Sequence, residues 1–363
     1  MRIKQARLEP LRLELVRPLK TARSTYTARE GFLVQLVDEE GRRGQGEAMP
    51  LPEFGTEPLR MCERVLRGLV TVLDGLEVYD HLDSIKYVLG ELNVIHRAPS
   101  ARHAVELALL DLLAQRWQLP LCRLLGSTAR SEVHVNALLT ASEPEALAEE
   151  ARRAVAEGFR TLKLKVAGWP LEEDEARVRA VREAVGQGVS LRLDANGGWS
   201  EQEAAHALER LASYGPELCE QPVAAKDVPA LARLQLGCAF PLAADESLVS
   251  PQDLSALLKT ASGTPAVRIL VLKPMVLGGL LASLTIAHEA AAVGVEAFVT
   301  SSLDGVVSRA GAAHLAAALP SGRLASGLGV GRLFVREEPA DHPFQPVEGR
   351  IRLPEAPGLG LPA

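Results

Sequence analysis

"TLKLKV", residues 161–166, decides how the fold is read. Apolar and charged residues alternate with the two-residue period of a β-strand. Lys163 and Lys165 therefore share one face, and Leu162, Leu164 and Val166 share the other. An exposed edge strand carries lysines to block pairing with another edge. The rest of the chain argues for a different use. Only eight of the 40 Lys plus Arg residues are lysine, so arginine serves the ordinary surface. Two lysines on one strand face then point to something arginine cannot do, which is to release a proton.

Similar short stretches recur every ~25–30 residues, a spacing that suits strand–helix units around a parallel sheet. They are 133–139, 161–166, 190–195, 217–222, 241–246, 267–274, 296–302 and 323–329, separated by Ala-, Glu- and Arg-rich amphipathic segments. Eight such strands predict an α/β fold with a barrel of the TIM type over 132–330. Residues 1–131 read as a separate α+β domain. Antiparallel strands come first, with a polar loop, "RPLKTARSTYTAREG", between the first two. A second loop, "MPLPEFGTEP", precedes helices, the clearest starting after Pro99 with Ser100 as its N-cap. The Pro-rich tail, 331–363, folds back onto the N-terminal domain.

With 47% hydrophobic residues the chain has ample material for a large core. Net charge is −6 and no basic stripe stands out, which argues against nucleic-acid binding. No apolar run approaches a membrane span, and "MRIKQARLEP" lacks the apolar region of a signal peptide. Cys62, Cys122, Cys219 and Cys238 have no metal or disulfide spacing, so a reduced, cytoplasmic protein is expected.

Chemistry in a parallel barrel sits at the C-terminal strand ends. Those ends carry Lys163 and Lys165, then Asp194 and Asn196, Glu220, Asp245 with Glu246 beside it, Lys273, and finally Ser301, Ser302 and Asp304. Three carboxylates on successive strands need a cation, because close like charges cannot all stay ionised. Hard oxygen ligands suit Mg²⁺. A lysine beside other cations gives up its proton more easily. The set therefore fits proton abstraction alpha to a carboxylate, through an enolate. Asp194 and Asp245 also stand where a helix cap would.

These residues carry a resemblance. "KLK" at 163–165, "DAN" at 194–196, "CEQP" at 219–222, "ADES" at 244–247 and "LKP" at 272–274 resemble the barrel motifs of the enolase superfamily's muconate-lactonizing subgroup. The resemblance implies a modified (β/α)₇β barrel under a capping domain that the C-terminal tail completes. It implies Asp194, Glu220 and Asp245 as Mg²⁺ ligands, with Mn²⁺ as a substitute, and Lys165 and Lys273 facing each other across the substrate. Within the subgroup, "GEAMPLPEFGTEP", "SSLDG" and "ASGLGVG" look most like o-succinylbenzoate synthase, a menaquinone-pathway dehydratase. That enzyme eliminates water from 2-succinyl-6-hydroxy-2,4-cyclohexadiene-1-carboxylate. Lys165 would be its base, Lys273 a fixed cation, and Lys163 a helper that holds the substrate carboxylate. Arg192, Asn196, Ser301, Ser302, Gly327, Arg23 and Phe54 are the expected substrate contacts. Asp304 keeps dipeptide epimerase open, and N-acylamino acid racemase shares the same lysines. The expected partner is a small-molecule carboxylate, and pairing into a homo-oligomer is common among capped barrels.

Overall fold

The computed structural model describes residues 1–20, 25–92, 97–260, 263–336 and 342–362. It opens with a three-stranded antiparallel sheet of β1 (Ile3–Lys20), β2 (Thr25–Asp38) and β3 (Arg43–Ala48), in that spatial order. The polar stretch expected as a loop is largely strand. After a register break beyond Glu14–Ala28, β1 and β2 pair again at Leu19–Tyr26 and Lys20–Thr25, where Thr and Tyr favour extended backbone. Arg23 lies outside the described residues.

Helices α1 (Leu59–Leu73), α2 (Leu82–Glu91) and α3 (Pro99–Arg116) follow. α3 is buried on almost every side. It crosses β3 at Gly44 and Gly46, where any Cβ would run into the Ala104 and Ala108 carbonyls. Ser100 does not cap α3. Pro99 takes the first turn, where its missing N–H costs nothing. Glu57 instead accepts from Ser100 N at 3.1 Å and Ala101 N at 2.9 Å.

After α4 (Leu121–Leu125) and a short β4 (Glu132–His134), seven parallel strands are built. They are β5 (Ala137–Leu139), β6 (Thr161–Lys165), β7 (Ser190–Asp194), β8 (Leu218–Glu220), β9 (Leu242–Ala244), β10 (Ile269–Leu272) and β11 (Glu296–Val299). Each pairs with its sequence neighbours. Ser326 bridges to Val135 and Gly327 to Thr300, both in parallel, so the eighth segment closes the curved sheet. Connecting helices lie outside: α5 (Pro144–Ala156), α6 (Leu171–Val185), α7 (Glu201–Leu211), α8 (Val228–Gly237), α9 (Leu254–Leu258), α10 (Pro274–Leu277), α11 (Leu280–Ala292) and α12 (Val306–Ala318). Leu218, Ala243, Ile269, Val271 and Phe298 form a small apolar cluster inside the barrel, separate from the main core.

The tail returns through β12 (Arg350–Arg352), which pairs antiparallel with β4. Leu359 N then donates to Asp111 of α3 at 2.8 Å. The N-terminal domain docks on the barrel through two buried carboxylates. Glu47 accepts from Gly305 N at 2.7 Å at the start of α12, and Glu106 from Leu281 N at 2.9 Å at the start of α11. Each carboxylate meets unpaired N–H groups at the positive end of a helix.

Candidate active site

Strand parity builds the site. Arg192 precedes Asp194 by two residues, Leu218 precedes Glu220, Ala243 precedes Asp245, and Val271 precedes Lys273. The earlier member of each pair is buried inside the barrel, so the later one also points inward, one layer nearer the mouth. Lys163 and Lys165 repeat the pattern on β6.

Lys163 Nζ lies 2.5 Å from Glu220 Oε2 and 2.9 Å from Asp194 Oδ2. Lys165 Nζ is 3.9 Å from Asp194 Oδ2 and donates to Asn196 Oδ1 at 2.5 Å. Lys273 Nζ is 2.5 Å from Asp245 Oδ1 and 4.7 Å from the centre of the Phe54 ring. β7, β8 and β9 lie between β6 and β10, so lysines flank the carboxylates on both sides. Asp194 is not needed as a cap, because Ser200 and Glu203 form a capping box on α7.

The charges are strongly coupled. Burial opposes the Lys163 ammonium, but Asp194, Glu220 and Asp245 outweigh it and hold its pKa above the ordinary lysine value. Lys273 is buried too, and Asp245 and Glu246 hold it up in the same way. Both directions suit the fixed cation expected of Lys273 and the helper expected of Lys163, because their nearest charges are carboxylates rather than cations. Asp194 is buried, yet Lys163 and Lys165 draw it down to about 2. Burial leaves Glu220 above its usual range despite Lys163. Glu246, buried beside Asp245, is pushed up to about 7.

As the side chains stand, no three His, Cys, Asp or Glu among the described residues could hold a metal ion directly. The carboxylates are turned onto the lysines. The donor set nevertheless suits a hard divalent cation. Four carboxylates, Asp194, Glu220, Asp245 and Glu246, face three lysines. Glu220 Oε1 and Glu246 Oε2 are buried with no hydrogen-bond partner among the described residues. Such oxygens are costly unless something satisfies them.

The other expected contacts divide. Asn196 sits at the cluster, in left-handed backbone, with its amide donating to Glu246 at 3.0 Å. Phe54 reaches Lys273 from the N-terminal domain. Arg192 does not reach the mouth. It is fully buried one layer below, with Nε 2.5 Å from Glu217, Nη1 2.7 Å from the Ala325 carbonyl and its charge over Phe298. Its parity is right, but its depth commits it to the barrel interior. Gly327 does not offer a free N–H either, because it donates to Val299 O at 2.9 Å in closing the barrel. Ser301 Oγ accepts from Leu303 N and Asp304 N, so it folds its own turn. Ser302 is buried, and its Oγ has no hydrogen-bond partner among the described residues.

Three contributors escaped the sequence reading. Gln221 Oε1 accepts from Asp245 N at 3.0 Å and Ser247 N at 3.1 Å, which fixes the Asp245 backbone. Its place inside "CEQP" was the available signal. Arg29 and Glu47 lie beside Asp304 in a buried seam under the last barrel loop, where Arg29 donates to Met49 O at 2.7 Å and Leu303 O at 3.3 Å. Asp304 is 2% exposed and faces two arginines, Arg29 and Arg309. No local pattern joins residues 29, 47 and 304.

Known proteins match this architecture over most of the chain. Residues 5–126 match the N-terminal domain of mandelate racemase / muconate lactonizing enzyme, and residues 146–362 match the enolase C-terminal domain-like family. A hydrophobic dipeptide epimerase of Enterococcus faecalis is 34% identical over 88% of this chain and 88% of its own. An N-succinyl-L-Arg/Lys racemase of Bacillus cereus is 29% identical over 99% of this chain and 95% of its own. The crystal structure of a dipeptide epimerase from Enterococcus faecalis V583, complexed with Mg and the dipeptide L-Leu-L-Tyr, superposes with a TM-score of 0.90. It is 31% identical and covers 99% of both chains. The chain belongs to the enolase superfamily, with the N- and C-terminal domains of mandelate racemase and muconate lactonizing enzyme.

Proposed function

We propose that this protein is a Mg²⁺-dependent epimerase or racemase that inverts the α-carbon of an N-acylated amino acid, either a dipeptide or an N-succinyl amino acid. The observation that carries the reading is the pair Lys165 and Lys273, held on opposite flanks of the carboxylate cluster. Inversion needs one base on each face of the α-carbon. One lysine takes the α-proton to leave an enolate, and the other delivers a proton to the opposite face. The reverse direction exchanges the two roles. The named relatives support this reading, since two are epimerases or racemases of such substrates.

Asp194, Glu220 and Asp245 are the residues that would hold Mg²⁺. When bound, the ion supplies positive charge for the carboxylate oxygens that become more negative as the α-proton leaves. Lys163 offsets the charge of Asp194 and Glu220 and stands ready for the substrate carboxylate. Asn196 aims the Lys165 ammonium, and Gln221 fixes the backbone of Asp245.

Dehydration by the o-succinylbenzoate synthase route is the second reading. One observation favours it: the Lys273 ammonium is enclosed by Asp245 and the Phe54 face, as a fixed cation would be. The test is a substrate panel with Mg²⁺, comprising L,L-dipeptides, N-succinyl amino acids and 2-succinyl-6-hydroxy-2,4-cyclohexadiene-1-carboxylate. Conversion of a dipeptide or N-succinyl amino acid to its epimer is expected, and chelator should abolish it. Dehydration of the cyclohexadiene with no epimerisation would replace this reading with the second one.

A further inference from the structure

We propose that Arg177, together with Asp174 and Trp169, is the positioning element for Lys165, so that it governs proton transfer on one face of the substrate and not the other. The inference rests on the reading of Lys165 and Lys273 as opposed bases. Lys165 ends β6, and its side chain is 47% exposed. A flexible four-carbon stem leaves its ammonium only as well placed as the backbone it hangs from.

That backbone is held from outside the barrel. Arg177 on α6 donates from Nη1 to the Lys165 carbonyl at 3.0 Å and to Asp174 Oδ1 at 2.8 Å. Its Nε donates to the Ser142 carbonyl, in the connection after β5, at 3.1 Å. One guanidinium thus ties the end of β6 to α6 and to the segment leaving the neighbouring strand. The other oxygen of Asp174 accepts from Ala167 N at 2.7 Å. Ala167 has φ of +64°, left-handed backbone that a non-glycine residue adopts only when its surroundings demand it. Arg177 and Asp174 are 3% and 0% exposed. A buried ion pair is a poor source of stability, so its value lies in the geometry it enforces. The Trp169 ring covers the guanidinium at 3.8 Å and shields it from water.

Lys273 is held differently. Its carbonyl accepts from Val276 N and Leu277 N, both at 2.9 Å, in the first turn of its own helix α10. Among the hydrogen bonds and ion pairs of the described residues, none joins Lys273 to α6. A disturbance at Arg177 therefore reaches Lys165 directly and Lys273 only through the rest of the barrel.

The test uses solvent deuterium exchange at the substrate α-carbon, starting from each epimer separately. Lys165→Ala identifies which epimer presents its proton to Lys165. Arg177→Lys keeps the charge but loses the planar fork. Its exchange from that epimer should fall about 10- to 100-fold, the scale of an ångström-sized misplacement. Exchange from the other epimer should change by less than about threefold, with KM little altered. Trp169→Leu, at a 38% exposed position, should keep the fold and show the same one-sided loss at smaller amplitude. Equal losses on both faces, or no loss in either variant, would overturn the proposal. If the wild type exchanges neither epimer, the two-base reading itself fails and the positioning role goes with it.

Discussion

Lys163 and Lys165 are two residues apart on one strand, yet they hold different stations. Lys163 is locked between Asp194 and Glu220, while Lys165 reaches past them to Asn196. Lys163→Met should leave two buried carboxylates short of a partner, a cost of about 3 kcal/mol. Thermal melting should show that loss, and Mg²⁺ should restore part of it, because the ion neutralises the same oxygens. A loss that Mg²⁺ leaves untouched would speak against those carboxylates as its ligands. Asn196→Ala should cost about 1 kcal/mol of stability, because alanine fits left-handed backbone poorly, and lower kcat by roughly 10-fold, since it frees the Lys165 ammonium rather than removing it. At this scale the lysine–carboxylate cluster was legible, because residues two apart on a strand share a face and six such positions carry its lysines and carboxylates. Arg192 obeys the same parity and was misjudged, because parity reports the side of a strand and not the depth along it. Asp304 was visible as a charge, but its neutralisation by Arg29 and Arg309 was not, since those residues arrive from remote segments.

The strands of the barrel were legible as elements because each couples a short apolar run to a polar end, and all seven named strands fall inside the expected stretches. The hairpin of β1 and β2 was under-read, because polar residues on a strand facing water look like loop. The seam of α12, α4 and the tail was not legible at all, since the histidine that links all three meets partners from remote segments. His314 Nδ1 accepts from Cys122 N at 3.1 Å, and its Nε2 lies 3.1 Å from the Leu359 carbonyl. The neutral ring satisfies both partners, whereas a second ring proton would face the Cys122 N–H. Burial accordingly lowers the His314 pKa to about 4. The unfolded chain binds this proton near pH 6.5, well before the folded protein does. The stability that His314 contributes is therefore present above about pH 6.5 and declines as pH falls toward 4, by about 3 kcal/mol in all. Buried Glu47, Glu106 and Asp111, raised to about 8, 7 and 6, act in the opposite sense and lose stability as pH rises. The measurable quantity is thus a difference. Denaturant midpoints of wild type and His314→Gln should converge as pH drops from 7 to 4. A constant gap across that range would show that His314 does not titrate as its burial requires.

At the scale of the whole molecule, two domains make one site. The barrel supplies the lysines and carboxylates, and the N-terminal domain lays Phe54 over Lys273 and Met49 against Met275. That closure was expected in outline from the loop around residue 54. The carboxylates that enforce it, Glu47 and Glu106, were not, because each reads in sequence as an ordinary acid on a strand or helix. The most direct measurement follows α-proton exchange in deuterium oxide, with Mg²⁺ and an epimerising substrate, for Lys165→Ala and Lys273→Ala side by side. If two opposed lysines carry the inversion, both variants should lose epimerisation, while each still exchanges the α-proton of one epimer, and of opposite epimers. Exchange from the same epimer in both, or full epimerisation by either variant, would contradict that assignment.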